Sequence, residues 1–443
     1  MFVIHCRRVN SDENRKMLLK DMDDISPQTE MPENSLPVKN LTSLLSKKLG
    51  NDLKIVKVDW KNLTDPGDNY GSLIIAVNAT VERNSRTEVV NLVVKLPPPS
   101  AWLQELFNTP FTFLKELQFY RDLTPAFMAL QRENKITEAE STWLGADYYG
   151  GRMGLGEGDV FDDEAAIVLE NLNYSGYKTV DRLLGLNSSQ ADLAVRKLGK
   201  LHGIVIAMRT RKPEIFEKLI LPALVQPANE TAKNCVGDMI AKALADLNLI
   251  PGCEAYLTSV EKTMKYLESL EESPEMEKPK DKWATLVHND FWTNNMMFKH
   301  DEATKSVVDM KIVDFQLCVY DYGVKDLIFF LISSPTQQVI EEEFDRLIDR
   351  YYEAFADTLR SMTVDPTNYP KKEFHQRFNE CATLKFPQCL MMNQVIKSKP
   401  DVVPKMEDIK SKENFLTIGG GEIYNQKMLH TLQFYHKRGW LIK

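Results

Sequence analysis

The 443-residue chain has six cysteines, Cys6, Cys235, Cys253, Cys318, Cys381 and Cys389, and no two lie two to four positions apart. That spacing excludes a zinc knuckle, and six is too few for a disulfide scaffold. The cysteines read as reduced thiols in or near the core. Positive charge is not in excess: 55 Lys and Arg stand against 63 Asp and Glu, a net charge of −8. Nucleic acid and anionic membrane are therefore excluded as main partners. The longest strongly apolar run, residues 327–332, is far short of the roughly 20 residues of a membrane span. The start, MFVIHCRR, has too short an apolar run for a secretory leader. These features predict a cytoplasmic protein. A phosphate loop ending in G-K-S/T is also missing. The most glycine-rich stretch, residues 150–158, lacks that ending and is followed by Asp159, Asp162, Asp163 and Glu164, which would repel phosphate. It reads as a mobile loop.

What is present is an ordinary globular composition, 43% hydrophobic and 27% charged, in a chain long enough for two lobes. Residues 1–35 are polar and read as a disordered tail. Strands are predicted at 54–58, 73–81 and 88–95, with a hairpin turn at 82–87 and a stop at Pro97. A helix is predicted over 111–122 and a short strand at 166–170. Helices then dominate, one capped by Ser188 and Ser189, others near 254–270, 323–333, 336–361, 371–395 and 421–438. They are interrupted by a loop over 271–282 and by strand-like pieces at 284–288, 296–298 and 311–315. The order gives an α+β chain in two lobes, a strand-rich N-lobe over 36–170 and a helical C-lobe over 171–443.

The chemistry concentrates in L-V-H-N-D-F-W-T-N-N, residues 286–295, and in I-V-D-F-Q, residues 312–316. Phosphoryl transfer needs one carboxylate to orient an acceptor hydroxyl and take its proton, and further oxygen ligands to hold Mg²⁺ against the phosphates. Asp290, Asn295 and Asp314 are the right types, on a loop and strand hairpin that can bring them together. In the first lobe Lys95 ends an apolar strand. Glu116 shares a helical face with Phe113, Leu117 and Tyr120, where a carboxylate is costly unless paired. Lys95 is its natural partner, and the pair would aim an ammonium at nucleotide phosphates. The turn at 65–72, with Asn69, Tyr70, Gly71 and Ser72, could face phosphates with backbone N–H groups.

Together these motifs resemble the ecdysteroid-kinase-like family of insects, relatives of choline and aminoglycoside kinases. The resemblance runs through G-D-N-Y-G-S (67–72), V-V-K-L-P (93–97), F-L-K-E-L-Q-F-Y (113–120), V-L-E-N-L (168–172), residues 286–298, I-V-D-F-Q, Asp326-Leu327 and R-G-W-L (438–441). It implies a protein-kinase-like fold and an ATP- and Mg²⁺-dependent kinase acting on a small-molecule alcohol. By that resemblance Asp290 is the catalytic base, and Asn295 and Asp314 are the metal ligands. Lys95 and Glu116 form the ion pair. Glu170, Asn171 and Leu172 form the hinge at adenine, and Asn69, Tyr70, Gly71 and Ser72 lie over the phosphates. His288 and Asp326 support the catalytic loop. Asn289 and Asn171 depart from the family's usual Gly and Asp. The acceptor is expected to be an apolar alcohol, an ecdysteroid or a xenobiotic, on a surface from residues 386–392 and the Phe329-Phe330 helix, with the protein a monomer. A catalytically retired binding protein and a kinase for a polar amino-alcohol stay open as alternatives.

Overall fold

The computed structural model describes residues 36–63, 70–136, 143–227, 229–271, 281–398 and 405–443. The predicted tail, Asn69 and most of the 271–282 loop lie outside the described residues. A helix α1 (Leu41–Leu49) precedes three long strands, β1 (Lys54–Asn62), β2 (Leu73–Arg83) and β3 (Arg86–Leu96). The β2–β3 hairpin closes through Asn84 and Ser85, both at positive φ (46° and 58°). Two such residues make the primed turn that matches strand twist. With β4 (Tyr148–Arg152) and β5 (Ala166–Glu170), these strands form one antiparallel sheet in the order β1-β2-β3-β5-β4. Alternation along β3 decides what faces what: Leu92, Val94 and Leu96 are buried in an apolar cluster that also holds Leu41 and Leu45 of α1, while Val93 and Lys95 face a cleft on the other side.

Residues 150–152 are strand, not loop. Gly150 is pressed against α1: a Cβ there would stand 2.1 Å from the Leu44 carbonyl oxygen. The glycines that looked like a flexible loop therefore allow a helix to lie on the sheet edge.

After β3 come α2 (Ala101–Phe107), α3 (Thr109–Gln118), one π-helical turn (Phe119–Leu123) and α4 (Thr124–Glu133). Only 111–122 was expected here; Pro125 sits in the first turn of α4, where proline is accommodated. The second half contains α5 (Ser188–Arg211), α6 (Glu230–Leu247), α7 (Leu257–Glu271), α8 (Val324–Ser333), α9 (Gln337–Ser361), α10 (Lys371–Ile396) and α11 (Glu422–Arg438). The cap of α5 is Asn187, in a reciprocal capping box with Gln190, rather than the serines after it. Two small sheets sit among these helices. One pairs β6 (Tyr177–Lys178), β8 (Met296–His300) and β9 (Val307–Ile312); the other pairs β7 (Ala284–Val287) with β10 (Val319–Tyr322). The strand expected at 311–315 thus ends at Ile312, and Asp314 lies beyond it. This is the α+β arrangement of a strand-rich part followed by a helical part. Among the described residues no helix is long and apolar enough to cross a membrane, and the five described cysteines are free and buried.

Candidate active site

A cleft of about 410 Å³ lies between the large sheet and the helical part, lined by Ile74, Val93, Leu169, Leu172, Met297 and Val313 among its apolar walls. Its polar end is built by four separate stretches of chain. Lys95, at the end of β3, places Nζ 2.5 Å from Glu116 Oε2 on α3 and 2.9 Å from Asp314 Oδ1. Burial works against the Lys95 charge, but the Asp314 and Glu116 carboxylates outweigh it and raise its pKa. Burial pushes the Glu116 carboxyl up, against the pull of Lys95, and the Asp314 charge adds to the push.

Asp314 follows β9 in a left-handed conformation, φ 69°, which costs a non-glycine residue energy and marks a constrained position. Its other oxygen accepts from Gln316 Nε2 at 3.2 Å. Asn295 ties the loop together: its side-chain amide donates to Asp290 O at 2.9 Å and Asp290 Oδ2 at 2.8 Å. Its own carbonyl receives the Val313 N–H at 3.0 Å. Burial, and then the Asp314 charge, push the half-buried Asp290 carboxyl up to about 7, against the hydrogen bond from Asn295.

Buried Asp326, early in α8, accepts the N–H of His288 at 2.6 Å and of Asn289 at 2.8 Å. His288 is fully buried and its Nε2 lies 3.1 Å from the Val313 carbonyl, so Nε2 carries the proton. Burial lowers its pKa and keeps the ring neutral. Asn289 takes φ 65°, the conformation a glycine would take most easily. Its side chain points to α10, Oδ1 being 3.5 Å from Lys385 Nζ, and its carbonyl accepts from Gln388 Nε2 at 3.2 Å. It leans away from Asp290 toward a neighbouring helix.

At the end of β5, Glu170 and Asn171 commit their N–H groups to Asp147 O (2.8 Å) and Asn91 O (3.0 Å). The Glu170 carboxylate accepts from Ser175 Oγ and the Asp147 N–H. The Asn171 side chain closes a local turn on the Asn173 N–H. Among the described residues no acceptor takes the Leu172 N–H, which leaves one donor at the cleft. Tyr70 and Ser72 are buried, and Gly71 is packed on Gln316, where a Cβ would stand 2.6 Å from Nε2.

Two outcomes differ from expectation. Phe386 and Leu390 of α10, and Phe329 and Phe330 of α8, are fully buried core residues; their apolar spacing reflects helix packing rather than an open acceptor surface. Residues given no role from the sequence do reach the site: Asn294, Thr179, Asp181 and Arg182 line the cleft, and Lys385 and Gln388 hold Asn289. Only Gln316 and Asn294 had a signal, their place inside the two motifs.

No group of three or more His, Cys, Asp or Glu side chains suited to a metal occurs among the described residues. The oxygen donors at hand are the Asp314 carboxylate and the Asn295 amide oxygen, a set that suits a cation taking its remaining ligands from phosphate and water, as Mg²⁺ does.

A model of the ecdysteroid kinase-like family matches residues 66–364, more than half of the chain. No curated protein matches the chain. Among solved structures, an ethanolamine kinase from Plasmodium vivax is 10% identical, with a TM-score of 0.42 over 98% of both chains. A microcompartment-associated aminopropanol kinase is 10% identical, with a TM-score of 0.37 over 87% of this chain and 94% of its own. The GDP complex of wild-type aminoglycoside 2'-phosphotransferase-IIIa is 13% identical, with a TM-score of 0.34 over 80% and 98%.

Proposed function

We propose, for a chain that belongs to the ecdysteroid kinase-like family, that it transfers the γ-phosphoryl group of ATP to a hydroxyl of a small acceptor, with Asp290 as the base. The observation that carries this reading is the meeting of Lys95, Glu116, Asp314 and Asn295 in a cleft that also has apolar walls from Ile74, Val93, Leu169 and Met297. In this reading residues 36–170 form the nucleotide-binding lobe, and 171–443 carry the catalytic loop and the acceptor.

Adenine lies between Val93 and Met297, near the free Leu172 N–H and the backbone of Glu170. Lys95, fixed by Glu116, would meet phosphate oxygens as a cation, with Tyr70, Gly71 and Ser72 over them. Asp314 and Asn295 would hold Mg²⁺, which would supply positive charge against the phosphates. Asp290, oriented by the Asn295 amide, accepts the proton of the acceptor hydroxyl. The hydroxyl oxygen bonds to the γ-phosphorus as the bond to the bridging oxygen breaks, and ADP leaves with that electron pair.

The acceptor class we propose is a largely apolar alcohol, an ecdysteroid or a xenobiotic. Family membership supports it. A γ-phosphate transfer screen with purified protein against hydroxysteroids, phenolic glycosides, choline and aminoglycosides tests both levels. Transfer to the cationic alcohols alone removes the acceptor class. Tight ATP binding with no transfer to any acceptor removes the kinase reading in favour of a retired binding protein.

A further inference from the structure

The backbone just ahead of Asp290 is held by one carboxylate. Asp326 takes the N–H groups of His288 and Asn289, and Asn289 then turns through positive φ into Asp290. A third donor faces the same carboxylate from a different helix: His202 of α5, fully buried, with Nε2 3.4 Å from Asp326 Oδ2. That nitrogen makes no hydrogen bond among the described residues, and the Asp326 carboxylate is the acceptor that faces it. The opposite ring nitrogen, Nδ1, lies 2.6 Å from the hydroxyl of buried Tyr351 on α9. Room for the ring is made by Gly323, where a Cβ would stand 2.4 Å from Nδ1.

The hydrogen-bond inventory fixes the tautomer. A neutral imidazole has one donor and one acceptor. With the proton on Nε2, that N–H is on the side of the Asp326 carboxylate while the Tyr351 hydroxyl donates to Nδ1. With the proton on Nδ1, a lone pair would face a buried carboxylate, which is repulsive and leaves Asp326 one donor short. Tyr351 thus selects the ring form that Asp326 needs.

We infer that His202 and Tyr351 are positioning residues of the catalytic loop: Tyr351 sets the His202 tautomer, His202 completes the donors around Asp326, and Asp326 holds the backbone that aims Asp290. The inference rests on the reading of Asp290 as the base, and neither residue touches ATP or the acceptor.

The test uses full-length protein and acceptor-independent ATP hydrolysis, with hydrogen exchange at the His288 and Asn289 amides as a second readout. His202→Leu removes the donor, His202→Gln restores an N–H near the Nε2 position, and Tyr351→Phe removes only the hydroxyl. We expect kcat to fall at least ~10-fold in His202→Leu, to recover to within about 3-fold of the unmodified protein in His202→Gln, and to fall about 3-fold in Tyr351→Phe. KM for ATP should stay within about twofold throughout, and amide exchange should quicken in the Leu and Phe variants but not in Gln. Equal losses in Leu and Gln, or a KM that rises as kcat falls, overturn the inference. If His202→Leu does not fold, Tyr351→Phe decides: unchanged kcat and unchanged exchange overturn it. Asp290→Asn is run alongside. Should it keep full turnover, the base reading fails, while the exchange data still judge the His202 link to the loop.

Discussion

Replacing Lys95 by Met strips the ammonium from between Glu116 and Asp314 without changing the volume much. The side chains of Lys95 and Glu116 are 5% and 2% exposed, so water cannot replace the lost partner at Glu116. Asp314, at 16%, can recover hydration. Breaking a buried pair by removing one partner costs about 3–5 kcal/mol, a large share of the roughly 5–15 kcal/mol that holds a domain folded. Glu116→Leu should cost less, about 2 kcal/mol, because Lys95 keeps Asp314. The double variant, with an apolar pair in place of the charges, should lie within about 1 kcal/mol of the unmodified protein. The two changes are then non-additive by at least about 4 kcal/mol. Urea unfolding followed by far-UV circular dichroism at pH 8, with the slope checked for constancy, measures all four proteins. A Lys95→Met cost under about 0.5 kcal/mol, additive with Glu116→Leu, would refute a desolvated pair.

Asp290→Asn should leave Mg·ATP binding near that of the unmodified protein and cut turnover at least ~10²-fold, whereas Asp314→Asn should weaken Mg·ATP binding as well; titration calorimetry with coupled ADP release separates the two. Lys427, whose ammonium donates to the Ile332 carbonyl, has its pKa lowered to about 7 by burial and then by Lys397. An unfolded lysine titrates near about 10.4, so between those values the unfolded chain holds more protons and stability rises with pH; below about 7 the penalty is present in full. Lys427→Met should flatten the rise in urea midpoint between pH 7 and about 9, and an unchanged slope would discount it. Gly150→Ala drives a Cβ into the Leu44 carbonyl and should cost about 1–3 kcal/mol in the same assay, through a shift of α1 off the sheet.

The parts of the site legible in the sequence were those where one residue's cost implied another. Glu116 on an apolar helix face demanded a cation, and Lys95 was the strand-end lysine that could supply it. The loop spacing from His288 to Asn295 placed a carboxylate and an amide within one turn of chain, and the structure joins them by two hydrogen bonds. The illegible parts depended on packing between elements far apart in sequence. The glycines of β4 looked like a loop because their meaning is the approach of α1 (106 positions separate Gly150 from Leu44). The aromatic and methionine residues of α10 carried the same apolar signal whether they faced a ligand or the core. Nothing local to Lys385 or Gln388 announced that they would hold Asn289.

The π-helical turn after α3 explains how the two halves of the polar cleft stay in register. A turn with one extra residue puts two consecutive rings on the same side, and π turns recur where a helix must meet a special neighbour. Here Phe119 stacks on Phe315 with centroids 3.6 Å apart, and Tyr120 meets the same ring edge-on at 5.7 Å. Phe315 directly follows Asp314, and Glu116 lies one turn before Phe119. The helix that carries Glu116 and the loop that carries Asp314 are therefore joined twice, by stacked rings on one side and through the Lys95 ammonium on the other. An aromatic contact fixes distance and tilt but tolerates sliding in the ring plane. The ammonium, held by two carboxylates from different elements, removes that freedom. The ion pair and the stack thus constrain different displacements of one assembly, which is why an apolar replacement of the pair can restore stability without restoring the site.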